Sequence, residues 1–226
     1  MSDDFPVPVL LLTGAGSNGT AWTTLRDLLG GSRVEPMPDL PTVVEMADHI
    51  LATGGDPNPE TVLVGASLGA MVAVEIARQT TIAGMVLIAA GPGVKVSPEA
   101  LTAVKEPTPE ALAAIAHAGV APHRTDLHAA RDADFVRPEP DLLFRHLTAL
   151  GEHQFTPLTD PPATVVVWGR QDRSVGLGAH LRLAEACHGA LRPLPDVGHS
   201  AYLEAPDVVA ECTHFVHMQS KRRRHQ

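Results

Sequence analysis

Ser67, Asp172 and His199 lie far apart in the chain, yet together they have the residue types needed to split an acyl bond. A serine hydroxyl is a weak nucleophile at neutral pH. It reacts when a histidine within hydrogen-bond reach takes its proton and a carboxylate holds that histidine in the right tautomer. Ser67 stands in Gly65-Ala66-Ser67-Leu68-Gly69, between an apolar run over residues 61–64 and a helix-like run over residues 68–79. That context predicts a tight strand-to-helix turn that presents the hydroxyl, with strained dihedrals at Ser67 and glycines where side chains would crowd the backbone. In a chain with 19 glycines the five-residue pattern alone is weak evidence, so the flanks carry the specificity. Asp172 and His199 follow residues 164–168 and 190–194, both read as strands. All three residues are therefore expected at the carboxyl edge of one sheet, where open parallel sheets place their sites. Asp196 is a competing acid, disfavoured because it is too close in sequence to His199 to reach the far side of the ring.

The elements that must position these groups follow from hydropathy. Residues 7–12, 33–36, 61–64, 83–89, 164–168 and 190–194 read as strands, most of them short continuous apolar runs of the kind buried on both faces. Helices are expected over residues 21–29, 42–52, 68–79, 177–187 and 205–216. Strands alternating with helices predict an α/β fold with a mostly parallel, doubly wound sheet of about six strands. Residues 94–160 interrupt the alternation and are expected to form a mostly helical insertion. Thr108-Pro109-Glu110 caps one of its helices, and a second covers residues 138–150, with Leu142, Leu143, Leu147 and Leu150 on one face. These leucines read first as the core of the insertion, although an apolar floor can also meet a substrate.

Gly14, Gly16 and Gly19 fit G-x-G-x-x-G between a strand and a helix, and Glu35 or Asp39 could serve as the acid a dinucleotide site needs. That reading is a rival to the hydrolytic one. The wider pattern, however, resembles the α/β-hydrolase family with a helical cap, through nearly all of the core. The matching segments are Leu12-Thr13-Gly14-Ala15-Gly16, Gly65 to Gly69, Gly169-Arg170-Gln171-Asp172, and Gly198-His199 followed by Glu204-Ala205-Pro206. The resemblance implies that Ser67 is the nucleophile, His199 the general base and Asp172 its orienting acid, in the chain order the family uses. It also implies an oxyanion hole from the backbone N–H groups of Ala15 and Leu68, with no cofactor required, and it leaves Glu204 without a catalytic role. Thr13 stands where family members usually carry a histidine, which leaves open what supports the oxyanion loop. The chain begins almost at the oxyanion-loop strand, so the sheet is expected to be reduced at that end. The core is expected over residues 1–93 and 161–218, the cap over 94–160, and a frayed basic tail over 219–226.

Composition narrows the partners. The chain has 226 residues and 17 basic against 26 acidic side chains, a formal charge of −9. Four of the basic residues form Lys221-Arg222-Arg223-Arg224, so the body is more acidic still, which argues against nucleic acid or an anionic membrane as partner. A small-molecule substrate is expected. Cys187 and Cys212 cannot make a disulfide framework and fit a reducing, cytoplasmic setting. No secretory signal and no membrane span are read. His214 with His217, and His123 with His128, lack a completing thiolate or carboxylate, so no metal site is expected. Trp22 is read as packing for the first helix. The function expected is hydrolysis of an ester, thioester or lactone bond in a small, largely apolar substrate by way of an acyl-enzyme. A C–C hydrolase, lyase or cyclase on the same triad, and a slow ligand-binding receptor, remain alternatives.

Overall fold

The computed structural model describes residues 7–30, 32–53, 57–105, 108–135 and 141–224. Six strands form a single sheet: β1 (Val9–Leu12), β2 (Arg33–Glu35), β3 (Val62–Ala66), β4 (Gly84–Ile88), β5 (Ala163–Gly169) and β6 (Ala190–Leu194). Their spatial order is β2-β1-β3-β4-β5-β6, and every neighbouring pair is parallel. The central strands β1, β3 and β4 are buried along their whole length, as their unbroken apolar runs require. The edges are blunted differently. β2 has only three residues, and β6 carries Pro193, which cannot donate to a further strand.

Because side chains alternate across a strand, each strand feeds two cores. Leu10, Leu12, Leu63, Met85 and Leu87 face α2 (Val43–Thr53), α3 (Leu68–Gln79) and α8 (Leu177–Ala186). Leu11, Val64, Val86, Ile88 and Val165 face α1 (Thr23–Leu28), α9 (Ala201–Glu204) and α10 (Pro206–Arg224). Burying a leucine such as Leu11, fully enclosed here, contributes about 1.5–3 kcal/mol. Cutting it to alanine would cost about 2–5 kcal/mol. Trp22 is fully buried in this second core and stacks on Tyr202, with ring centroids 4.1 Å apart.

Local signals act where the sequence puts them. Thr42 accepts the Glu45 N–H at 3.1 Å and donates its hydroxyl to the Glu45 carboxylate at 2.8 Å, an N-cap that starts α2. The helix expected over residues 21–29 begins instead with a 3-10 turn at Thr20–Trp22. Between β4 and β5 run α4 (Pro98–Lys105), α5 (Pro109–Ala118), α6 (His128–Asp134) and α7 (Leu142–Glu152). The expected start of the last of these at Pro138 lies outside the described residues, as do Gly54 to Asp56 of the turn before β3. The end of the chain differs from expectation. Residues 219–224 do not fray but continue α10 to Arg224, and Arg223 donates to the Pro161 carbonyl at 3.4 Å. Lysine and arginine are good helix formers, and their charge suits the carbonyl end of a helix. Among the described residues no helix is long and apolar enough to cross a membrane.

Candidate active site

Ser67 lies between β3 and α3 with φ 54° and ψ −116°, a strained conformation for a residue with a side chain. The turn is held from both sides. The Ser67 N–H donates to the Ile88 carbonyl of β4 at 2.9 Å, and the Ser67 carbonyl receives the Ala70 N–H at 3.1 Å. Both flanking glycines are obligatory: a Cβ at Gly65 would strike the Gly69 carbonyl, and one at Gly69 would strike the carbonyls of Leu12 and Thr13. Leu68 opens α3, so its N–H is among those with no acceptor inside the helix.

The structure brings His199 and Asp172 together. Nδ1 of His199 lies 2.9 Å from Oδ2 of Asp172, while the competing Asp196 is exposed. The other Asp172 oxygen accepts the N–H groups of Ser174 at 2.7 Å and Val175 at 3.0 Å. Burial penalises the Asp172 charge, but the His199 charge, its hydrogen bond and these two amides outweigh that and hold the carboxyl below its ordinary range. The ion is thus kept beside the imidazole, whose Nδ1–H donates to it and whose Nε2 is left as the basic nitrogen. Ser67, His199, Gly14 and Ala15 line one cavity of about 550 Å³, roofed by the helices between β4 and β5. Leu143, Leu147 and Leu150 of α7 form part of its wall, so these leucines face the cavity while Leu142 is buried.

Four residues that the sequence reading left without a catalytic role hold the loops of this site. His146 of α7 is completely buried, and its Nδ1 accepts the Gly16 N–H at 3.2 Å. Its Nε2 lies 3.1 Å from the Pro38 carbonyl, so the ring is neutral at Nδ1 and donates from Nε2. Asp134 of α6 accepts the N–H groups of Gly19 at 3.0 Å and Ala21 at 3.3 Å and pairs with Arg131 at 3.1 Å. The glycine-rich loop after β1 is therefore gripped by the helical insertion at both ends. Thr13 has a smaller part, its buried hydroxyl accepting the Met37 N–H at 3.3 Å. Glu204 accepts the Gly198 N–H at 3.0 Å, Ser200 N–H at 3.3 Å and Ala121 N–H at 2.8 Å, tying the histidine loop to the insertion.

These contacts overturn the dinucleotide reading of Gly14, Gly16 and Gly19. The Gly16 and Gly19 amides are taken by His146 and Asp134, the latter a carboxylate already bound where the loop turns into the first helix. The two acids offered for a ribose are engaged as well, Glu35 with Arg33 and Asp39 with Arg145 at 2.6 Å.

A model of the alpha/beta hydrolase family matches residues 9–212. No curated protein matches the chain significantly. Among solved structures, a thermophilic esterase from Thermogutta terrifontis superposes with a TM-score of 0.76 at 20% identity, over 95% of this chain and 90% of that one. An N-acyl homoserine lactone degrading enzyme gives 0.70 at 22% identity over 91% of each chain. The type II thioesterase of the borrelidin biosynthetic cluster gives 0.69 at 18% identity, over 95% of this chain and 94% of that one. At these identities the likeness is one of fold.

Proposed function

The chain belongs to the alpha/beta hydrolase family, and from that premise we propose that it is a serine hydrolase that cleaves an ester, thioester or lactone through an acyl-enzyme. The observation that carries this reading is the convergence on one cavity of the strained Ser67, the Asp172-held His199 and the loop bearing Ala15. Ser67 Oγ attacks the carbonyl carbon as Nε2 of His199 takes its proton. The imidazolium so formed is stabilised across Nδ1–H by the Asp172 carboxylate. The oxyanion is received by the N–H groups of Leu68 and Ala15, each such donor contributing about a hundredfold or more in rate. His199 then returns the proton to the leaving oxygen or sulfur, and a water activated by the same nitrogen releases the acid. The insertion acts as a cap that supplies the apolar walls and excludes all but that water. The esterase, the thioesterase and the N-acyl homoserine lactone degrading enzyme among the structural neighbours favour acyl transfer over carbon–carbon cleavage.

The test is a panel of p-nitrophenyl esters together with a fluorophosphonate probe. Turnover and a single phosphonyl adduct at Ser67 are expected, both abolished in Ser67→Ala. A Ser67→Ala variant that keeps full turnover would sink the reading.

A further inference from the structure

The cavity beside Ser67 has an unusual charge balance for this chain. Acidic side chains outnumber basic ones 26 to 17 overall, yet among the described residues no aspartate or glutamate lines the cavity, while Lys95, Arg131 and Arg173 do. Arg131 is only 5% exposed and is committed to Asp134 and to the Tyr202 hydroxyl at 2.7 Å, so its charge is balanced locally. Lys95 and Arg173 are different. Both are exposed while lining the cavity, which puts them at its opening, and among the described residues neither has an ion-pair partner. Asp172, the carboxylate adjacent to Arg173 in the chain, spends its oxygens on His199, Ser174 and Val175. The two cations come from the loops after neighbouring strands, β4 and β5. The first loop packs beside α8, where Arg182 donates to the Pro92 carbonyl at 3.3 Å. Less exposed than these two cations, Val96, Val104, Ile115, Phe135 and Leu147 give the cavity an apolar wall.

We infer that the substrate is amphipathic and anionic: an ester, thioester or lactone whose apolar part fills the interior and whose carboxylate or phosphate stays at the opening between Lys95 and Arg173. This rests on Ser67 being the nucleophile and adds the substrate's charge. An acidic protein repels anions from most of its surface. A low-dielectric cleft with two uncompensated cations at its mouth focuses the opposite field and raises encounter rates.

The experiment compares kcat/KM within two matched pairs. Hexanoyl-coenzyme A against hexanoyl-N-acetylcysteamine puts the anion on the leaving group; mono-p-nitrophenyl adipate against p-nitrophenyl hexanoate puts it on the acyl part. At low salt the anionic member of at least one pair is expected to be faster by about tenfold. That ratio is expected to fall towards one in Lys95→Glu/Arg173→Glu, to survive in Lys95→Arg/Arg173→Lys, and to shrink in about 0.5 M sodium chloride, where screening acts over a few ångströms. Thermal unfolding of each variant, with the two single reversals as alternates, guards against a folding defect. Ratios below about two in both pairs at low salt, or a ratio that survives both charge reversal and salt, overturn the inference. Neutral-ester turnover that is lost in Ser67→Ala would leave the hydrolase reading standing in that event. No turnover of any of the four compounds overturns both.

Discussion

His146→Phe isolates what the buried imidazole does. Phenylalanine keeps a ring in the same space but can neither accept the Gly16 N–H nor donate to the Pro38 carbonyl. Gly16 is buried, so its amide would lose its acceptor without gaining water, at a cost of about 1–3 kcal/mol. Pro38 is half-buried and can turn partly to solvent, adding less. For a chain of this size a loss of about 2 kcal/mol lowers Tm by roughly 4–8 °C. The catalytic consequence is separate. Gly16 follows Ala15, whose N–H is the proposed oxyanion donor, and a displaced donor costs part of the roughly 100- to 1,000-fold that full removal costs. A tenfold or greater fall in kcat on a p-nitrophenyl ester is therefore expected, with KM nearly constant because the apolar walls are intact. His146→Gln, which can accept with its oxygen and donate with its nitrogen, is expected to recover most of it. Unchanged kcat in His146→Phe, with Tm lowered, would show the contact to be structural only. Equal losses in the Phe and Gln variants would refute the hydrogen-bond argument itself.

Glu204→Gln should turn one of two acceptor oxygens into a buried donor facing the N–H of either Ser200 or Ala121, destabilising by about 1–3 kcal/mol and slowing turnover through His199; equal Tm and kcat in the variant would contradict this. His180, His153 and His217 are all held below their ordinary pKa by burial, although the Gly176 carbonyl opposes this for His180 and Glu75 for His153. The unfolded chain therefore binds more protons at and below pH of about 6.5, so the stability these neutral rings contribute is full above that value. It is lost as pH falls from there through their folded pKa values, at no more than about 1.4 kcal/mol per unit for each ring. Urea midpoints should fall from pH 7.5 to 5.5, and less steeply in His180→Gln; a slope unchanged in that variant would count against its part. Burial pushes the Cys187 thiol up to about 11 and raises Cys212 as well, so the native protein should react with a thiol reagent at neutral pH only as fast as it opens. Rapid labelling without denaturant would refute this.

Legibility in the sequence followed the physics that generates each element. α3 runs from Leu68 to Gln79, the bounds read from hydropathy, because a glycine-bounded turn starts it and the chain beyond is apolar. β6 was equally plain. α6 was not visible, since His128 to Asp134 has no apolar periodicity. Its anchors are Arg131 and Asp134, charged residues buried by pairing with each other and with backbone amides. Pattern reading assumes that charge faces water, so such a helix escapes it. His146 left a fainter trace. It sits on the same face of α7 as Leu143 and Leu150, and a histidine among leucines asks where its two nitrogens go. Only tertiary structure answers that, because its partners lie more than a hundred residues away in the chain.

The grip of Asp134 and His146 on the loop after β1 bears on how this scaffold can be re-engineered. In a design where the helices between β4 and β5 merely covered the sheet, they could be exchanged as a cassette, changing specificity while the chemical machinery stayed whole. Here a transplanted cassette would take the acceptors away from the amides of Gly16 and Ala21 and leave that of Gly19 with only the Ser17 hydroxyl. The natural unit of exchange is the insertion together with the first loop, two stretches far apart in sequence that function as one part.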